Sequence, residues 1–270
     1  MMIIANNNGL ILIRRNHLEE RNWRDDTSYK FIFSFFGKSV YQTHYEDLTI
    51  HAGEFFIFNP NEPHKQLKVT QEKFLIEIEP EVVKEAAIQL GIEQPEPEFS
   101  AQAFRHPLIS QWASFIHNYF IQQEAEELPA NDLFLDNSVA QLTILLLQFG
   151  LGSHQKELPT IQTKTNIDIV INALKENYTE DWSLDQMANI SGLNKYQFAH
   201  QFKEEKGISP YSWLQLYRLF KSQHSLINTD ESILSIALEH GFKNISSYNR
   251  LFMKMYRKTP TEFRKIYRRK

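Results

Sequence analysis

The 270-residue sequence contains no cysteine. Disulfides, cysteine-ligated zinc and thiol catalysis are therefore excluded together. Long hydrophobic runs are missing too: the apolar stretch 142–147 falls far short of the ~20 residues that span a bilayer. Residues 1–13 are apolar only in patches, broken by Asn6-Asn7-Asn8-Gly9. They carry no basic region and no small-residue cleavage site, so no signal peptide is expected. These absences point to a soluble, cytoplasmic chain without a membrane partner.

Charge is present but unevenly placed. Residues 1–158 hold 12 Lys+Arg against 22 Asp+Glu, a balance of −10. Residues 159–270 hold 17 against 11, a balance of +6. The overall −4 hides a basic C-terminal part. An asymmetry of this kind suits nucleic-acid binding by one end.

The same boundary separates two structural patterns. β-Branched and aromatic runs at 29–36, 55–58 and 74–78, punctuated by Gly37, Gly53, Asn59-Pro60-Asn61 and Pro80, read as strands of a β-sandwich or small barrel. Helical spacing follows at 81–90, 107–124 and 133–149. In the last of these, Leu135, Val139, Leu142, Leu146 and Phe149 form one stripe. It would serve as a dimerisation seam between two subunits, or cover the barrel of its own subunit. Gly150, Gly152, Ser153 and Pro159 mark a linker at 151–165. From 166 to 270 the pattern is helical throughout. The expected fold is α+β in two domains: a β-barrel with added helices at 1–150, and an all-α domain at 166–270.

The all-α part contains a diverged repeat. Ala188, Gly192 and Leu193 recur as Ala237, Gly241 and Phe242 at an offset of 49. Phe198, Phe202, Ser209-Pro210, Trp213 and Tyr217-Arg218 recur as Tyr248, Phe252, Thr259-Pro260, Phe263 and Tyr267-Arg268 at an offset of 50, because Lys243 adds one residue. Ser183 with Gln186 predicts a capping box, Asn194 and Ser209 predict N-caps, and Pro210 suits a first helical position. Each copy reads as a helix-turn-helix, near 184–206 and 232–257. Gly192 and Gly241 supply the turns, Ala188 and Ala237 the close approach, and the aromatic residues the lock on each second helix. Two such units suit a long periodic partner gripped at two points, as double-stranded DNA is.

The faces left over would meet that partner. The first unit offers Lys195, Tyr196, Gln197, Ala199, His200 and Lys203. The second offers Ile245, Ser246, Asn249, Arg250 and Lys254. Arg250 is the candidate for bidentate contact with guanine, Gln197 and Asn249 for adenine or phosphate, and Ile245 for a thymine methyl. Lys203 and Lys254 suit phosphate.

Residues 167–266 resemble the tandem helix-turn-helix domain of the AraC/XylS family of transcription regulators. The match runs through Ser183-Leu184, Met187-Ala188, Gly192-Leu193, Phe198, Phe202-Lys203, Gly207 and Ser209-Pro210. It continues through Ile233, Ile236-Ala237, Gly241-Phe242, Tyr248, Arg250, Phe252, Pro260 and Phe263-Arg264. His200 stands where the family usually has a basic residue. The resemblance implies two recognition helices in successive major-groove segments, spaced by the helix at 210–227. It also implies a homodimer, and RNA polymerase as a partner if the protein is an activator.

Residues 53–64, Gly-Glu-Phe-Phe-Ile-Phe-Asn-Pro-Asn-Glu-Pro-His, resemble the second motif of that family's cupin-like sensor domain. The His-x-His pair of metal cupins is absent, and His44, His51 and His64 do not recreate it. No metal, cofactor or catalytic residue is therefore expected. A small-molecule effector would sit against Tyr29, Phe31, Phe33, Phe56, Phe58 and His64; otherwise these aromatics simply fill the barrel. The expected protein is a sequence-specific transcription regulator rather than an enzyme. The alternatives are a cupin enzyme with a DNA-binding tail and a regulator whose N-terminal domain only dimerises. A repair alkyltransferase is removed by the missing cysteine.

Overall fold

The computed structural model describes residues 2–15, 22–44, 46–94, 96–125, 132–155 and 165–268. The chain divides into two compact units, Met1–His154 and Gln155–Lys270.

The first unit begins with a hairpin. Strands β1 (Met2–Asn6) and β2 (Gly9–Arg14) pair antiparallel, with Asn6 opposite Gly9. The Asn-rich break in the apolar N-terminus is thus the turn of a hairpin. Strands β3 (Tyr29–Phe33), β4 (Lys38–Thr43), β5 (Asp47–His51), β6 (Phe55–Phe58), β7 (His64–Val69) and β8 (Lys73–Ile78) follow. They form two antiparallel sheets, ordered β1-β2-β8-β3-β6 and β5-β4-β7. The barrel expected from the sequence is not closed among the described residues. The outer edge of β6 is taken by a bridge from Phe55 to Phe104, and the start of β7 by a bridge from His64 to Arg24. Loop segments thus occupy edges that a closed barrel would pair with strands.

Register explains what each face does. Ile32 lies opposite Phe56 and Leu75, so these three share a face. They join Tyr41, Leu48, Ile50 and Phe58 in the core between the sheets. Alternate residues face the other way, towards helices α1 (Pro80–Gln89), α2 (Pro107–Ala125) and α3 (Asp132–Phe149). On that side Phe31 meets Trp112 edge to face, with ring centroids 6.5 Å apart. Helix α3 packs against β1, β2 and β8.

This placement decides the apolar stripe of α3. Leu135, Val139, Leu142 and Leu146 are all buried inside their own unit, and Phe149 stacks on His106 at 4.3 Å. The stripe covers its own sheet and does not present a seam to a second subunit. Burial of each aliphatic side chain contributes about 1.5–3 kcal/mol, a sufficient reason for the pattern. Residues 151–154, assigned to the linker by composition, belong to the first unit: Leu151 is buried and Gly152 bridges Phe99. The remainder of the linker at 156–164 lies outside the described residues.

The second unit is helical: α4 (Asn166–Glu176), α5 (Leu184–Ser191), α6 (Lys195–Lys206), α7 (Pro210–Asn228), α8 (Ile233–Glu239), α9 (Ile245–Tyr256) and α10 (Pro260–Tyr267). Local chemistry sets most boundaries. Ser183 accepts a hydrogen bond from the Gln186 N–H and Gln186 reciprocates, a capping box. Ser209 caps α7 with Pro210 in its first turn, and Thr259 with Glu262 caps α10. Gly207 ends α6 in the left-handed region, at φ 79°. Helix α7 is central: Trp213, Leu214, Leu216, Leu219 and Leu226 are buried, and it packs against α6, α8, α9 and α10.

Candidate nucleic-acid interface

The turns of the two helix-turn-helix units are closed by the same pair of backbone hydrogen bonds. In the first, Leu193 N–H donates to the Ala188 carbonyl at 3.3 Å and Gly192 N–H to Asn189 at 3.2 Å. In the second, Phe242 N–H donates to Ala237 at 2.9 Å and Gly241 N–H to Leu238 at 3.0 Å. Both glycines adopt positive φ, 71° and 81°, where a side chain is strained. Ala188 and Ala237 are buried at the crossing of the paired helices. Past the turns, Asn194 caps α6 by accepting from the Tyr196 and Gln197 N–H groups. Asn244 caps α9 by accepting from the Ser247 N–H. The second cap is a further copy of the repeat, at the same offset of 50, and the sequence shows it once Asn194 is aligned.

Each second helix buries one face and presents the other. In α6, Phe198 and Phe202 are buried, and Trp213 of α7 lies 6.4 Å from Phe202. In α9, Tyr248, Phe252, Met255 and Tyr256 are buried. The opposite face of α6 exposes Lys195, Tyr196, Gln197 and His200, with Ala199 and Lys203 partly exposed. Tyr196 is 79% exposed, and the Lys195 ammonium lies 5.8 Å from its ring. An aromatic ring so far into solvent contributes nothing to the core and is available to a partner. The opposite face of α9 exposes Ser246, Asn249 and Arg250, with Ile245 and Lys254 partly exposed. All the residues assigned to DNA contact thus lie outside the core, on the two second helices.

The charges at these faces differ. Lys195 lies 3.9 Å from Asp185, an exposed and weak pair. Asn194 donates from its side-chain amide to Gln197 Oε1 at 2.7 Å. Deeper in the unit, Lys206 pairs with Asp168 at 2.7 Å and ties the end of α6 to α4. Two arginines missed by sequence reasoning hold backbone instead of ligand. Arg218 donates to the Tyr178 and Glu180 carbonyls, both at 2.6 Å. Arg264 donates to Leu226 at 2.9 Å and Glu231 at 2.7 Å. Both stood among the residues that marked the repeat or the family pattern, which was the available signal.

The residues grouped as effector contacts do not share one face. Phe56, Phe58 and the His64 ring lie between the sheets, with His64 stacked on Phe58 at 4.0 Å. Tyr29, Phe31 and Phe33 lie on the helix side of β3, where Tyr29 meets Phe99 and donates to the Pro97 carbonyl at 2.9 Å. All six are buried. Burial holds His64 below its ordinary pKa, and its Nδ1 lies 2.9 Å from the Glu62 carbonyl. Lys30, also buried between the sheets, pairs with Asp26 and with Glu77 at 3.4 Å. Among the described residues no cluster of three or more His, Asp or Glu is placed to hold a metal, and no helix is long and apolar enough to cross a membrane.

Two matched turns, two anchored second helices and a polar face on each define a DNA-binding protein of the helix-turn-helix class. A family model described as a helix-turn-helix domain matches residues 187–266. PqrA of Proteus vulgaris, a probable transcription factor, is 36% identical over 85 residues, 32% of this chain and 70% of its own. YbfI of Bacillus subtilis (strain 168), an HTH-type transcriptional regulator, is 23% identical over 205 residues, 74% of this chain and 71% of its own. The activator RhaS of Enterobacter sp. (strain 638) is 31% identical over 91 residues, and the match covers 34% of this chain and 33% of RhaS. The chain belongs to the AraC family of DNA-binding transcription regulators.

Proposed function

We propose that the two second helices, α6 and α9, read successive major-groove segments on one face of a specific duplex. One observation carries this reading: both units use the same turn geometry, and each leaves a polar face outward on its second helix. Arg250 makes no side-chain ion pair or hydrogen bond among the described residues, so its guanidinium is available to a guanine edge. Gln197 and Asn249 read adenine or touch phosphate, Ile245 meets a thymine methyl, and Lys195, Lys203 and Lys254 meet phosphate. Tyr196, Ala199, His200 and Ser246 complete the two surfaces.

The N-terminal unit serves as a cupin-like sensor in the cytoplasm. A small-molecule effector between the sheets would meet Phe56, Phe58 and His64, which share that face. Tyr29, Phe31 and Phe33 belong to the core beneath the helices. The protein acts as an activator, as the name of the relative RhaS suggests, and the family resemblance adds a homodimer and RNA polymerase as a partner. A second reading, a unit that dimerises and senses nothing, draws on the complete burial of the six aromatic and histidine side chains.

A gel shift of the full chain on promoter fragments, across a salt series, tests the DNA reading. Sequence-selective binding that weakens with salt is expected. Binding indifferent to sequence or to salt contradicts it.

A further inference from the structure

The α4–α5 loop, residues 177–183, lies before the first reading unit, yet it is held by α7 and touched by the second unit's turn. Tyr211 of α7 donates its hydroxyl to the Trp182 carbonyl at 2.6 Å, and Arg218 of α7 donates to Tyr178 and Glu180. Arg218 is only 3% exposed, so its two carbonyl bonds replace lost hydration inside the protein. A Cβ on Gly241, the turn glycine of the second unit, would lie 2.8 Å from the Thr179 carbonyl oxygen and 3.0 Å from Arg218 Nε. The second turn therefore seats directly on the loop and its arginine. Lys243, the residue that shifts the repeat from 49 to 50, pairs with Asp181 of this loop at 3.0 Å. Aromatic contacts run along the same path. Phe202 of α6 meets Trp213, Trp213 stacks on Tyr217 at 5.2 Å, Tyr217 meets Tyr178 at 5.6 Å, and Tyr178 meets His240 at 6.3 Å.

We propose that Arg218 is a positioning residue for DNA reading: by clamping the α4–α5 loop under the second turn, it fixes the separation and angle between the two reading helices. The proposal rests on both units reading one duplex. Its consequence is intolerance of altered spacing. One inserted base pair moves the second half-element by about 3.4 Å along the axis and about 35° around it. A rigid pair of reading helices cannot follow that shift, whereas a loosened pair can. Arg264 provides the contrast, because it holds the α7–α8 loop within the second unit and spans nothing between the two units.

The test uses the full chain and a duplex selected by the wild-type protein from a random-sequence pool, with versions carrying one inserted base pair between the half-elements. Affinity is measured for wild type, Arg218→Lys, Arg264→Lys, Lys243→Asp and the Asp181→Lys/Lys243→Asp pair. Wild type is expected to lose about tenfold or more on insertion, and Arg218→Lys to bind both spacings within about threefold of each other. Arg264→Lys is expected to keep the wild-type ratio. Lys243→Asp places two carboxylates together and should narrow the ratio, and the charge-swapped pair should restore it. If Arg218→Lys does not fold, the surface pair Lys243 and Asp181 decides alone. Spacing discrimination as sharp as wild type in the folded variants overturns the role of the clamp. A wild-type protein that ignores the insertion overturns instead the reading by two units.

Discussion

Tyr248 and Ser222 face each other inside the second unit, hydroxyl to hydroxyl at 3.0 Å. Both are fully buried, and the contact joins the second reading helix to the central helix α7. Ser222 Oγ donates to the Leu219 carbonyl at 2.7 Å, so the Tyr248 hydroxyl must be the donor between them. Tyr248→Phe removes that one donation and leaves the ring packing in place. A loss of about 0.5–1.5 kcal/mol is expected in urea unfolding. A loss above about 3 kcal/mol would mean that the ring, not the hydroxyl, had been displaced.

The two turn glycines should respond unequally. A Cβ at Gly192 meets only the strain of its φ of 71°, with no atom within 4 Å. At Gly241 the same strain is joined by contact with Thr179 and Arg218 at 3.0 Å or less. Gly192→Ala is expected to cost about 1–2 kcal/mol, and Gly241→Ala clearly more. Thermal melts of the two variants check the order; equal losses would mean that the second turn can lift from the loop freely.

Arg250→Ala should relax base preference at one position of a selected duplex at a cost of about 1–3 kcal/mol. Binding measured against the four bases at each position checks it. Uniform weakening at every base would make Arg250 a phosphate contact. His200, at the equivalent place on α6, should show a smaller effect, because an imidazole ring lacks the parallel pair of N–H donors that makes the forked contact.

The first unit should lose stability in mild acid. Burial pushes His106 down to about 4 from 6.5, and neither of its ring nitrogens has a hydrogen-bond partner among the described residues. The folded value lies below the unfolded one. The unfolded chain therefore takes up the proton first, and stability falls as pH drops from about 6.5 towards 4. Glu72 adds a second loss at lower pH. Burial alone would raise its carboxyl, but hydrogen bonds from His117 and Arg15 outweigh that and hold it below 4.5. Its contribution is present above that value and lost as pH falls through the folded one. His106→Phe, which keeps the stack on Phe149, should reduce the dependence between pH 6.5 and 4 without abolishing it, because burial also pushes His154 down to about 4 and lowers His64. Urea unfolding at several pH values reads this directly, and an unchanged slope would contradict it.

What the sequence disclosed follows from the range of the forces involved. Ser183, Asn194, Ser209 and Thr259 act on backbone two or three residues away, so the helices they start were legible. The repeat was legible because its buried residues recur. Strands β4, β5 and β7 were not: β7 reads His-Lys-Gln-Leu-Lys-Val and acquires its identity by pairing with β4. The effector set divides between two faces for a related reason. Whether Phe31 and Phe56 share a face depends on β3–β6 register, and Ile32, not Phe31, stands opposite Phe56. Arg218 was seen as a repeat position, but the carbonyls it holds lie 40 and 38 residues away in sequence.

Reading of one duplex by both units of one chain leaves a footprint that can be mapped. Guanine-methylation interference on a duplex selected by the full chain tests it most directly. Two clusters of interference on one face are expected, their centres about 10–10.5 base pairs apart, with interference at the one guanine under Arg250 lost in Arg250→Ala. A single cluster, or interference scattered without regard to face, would contradict it.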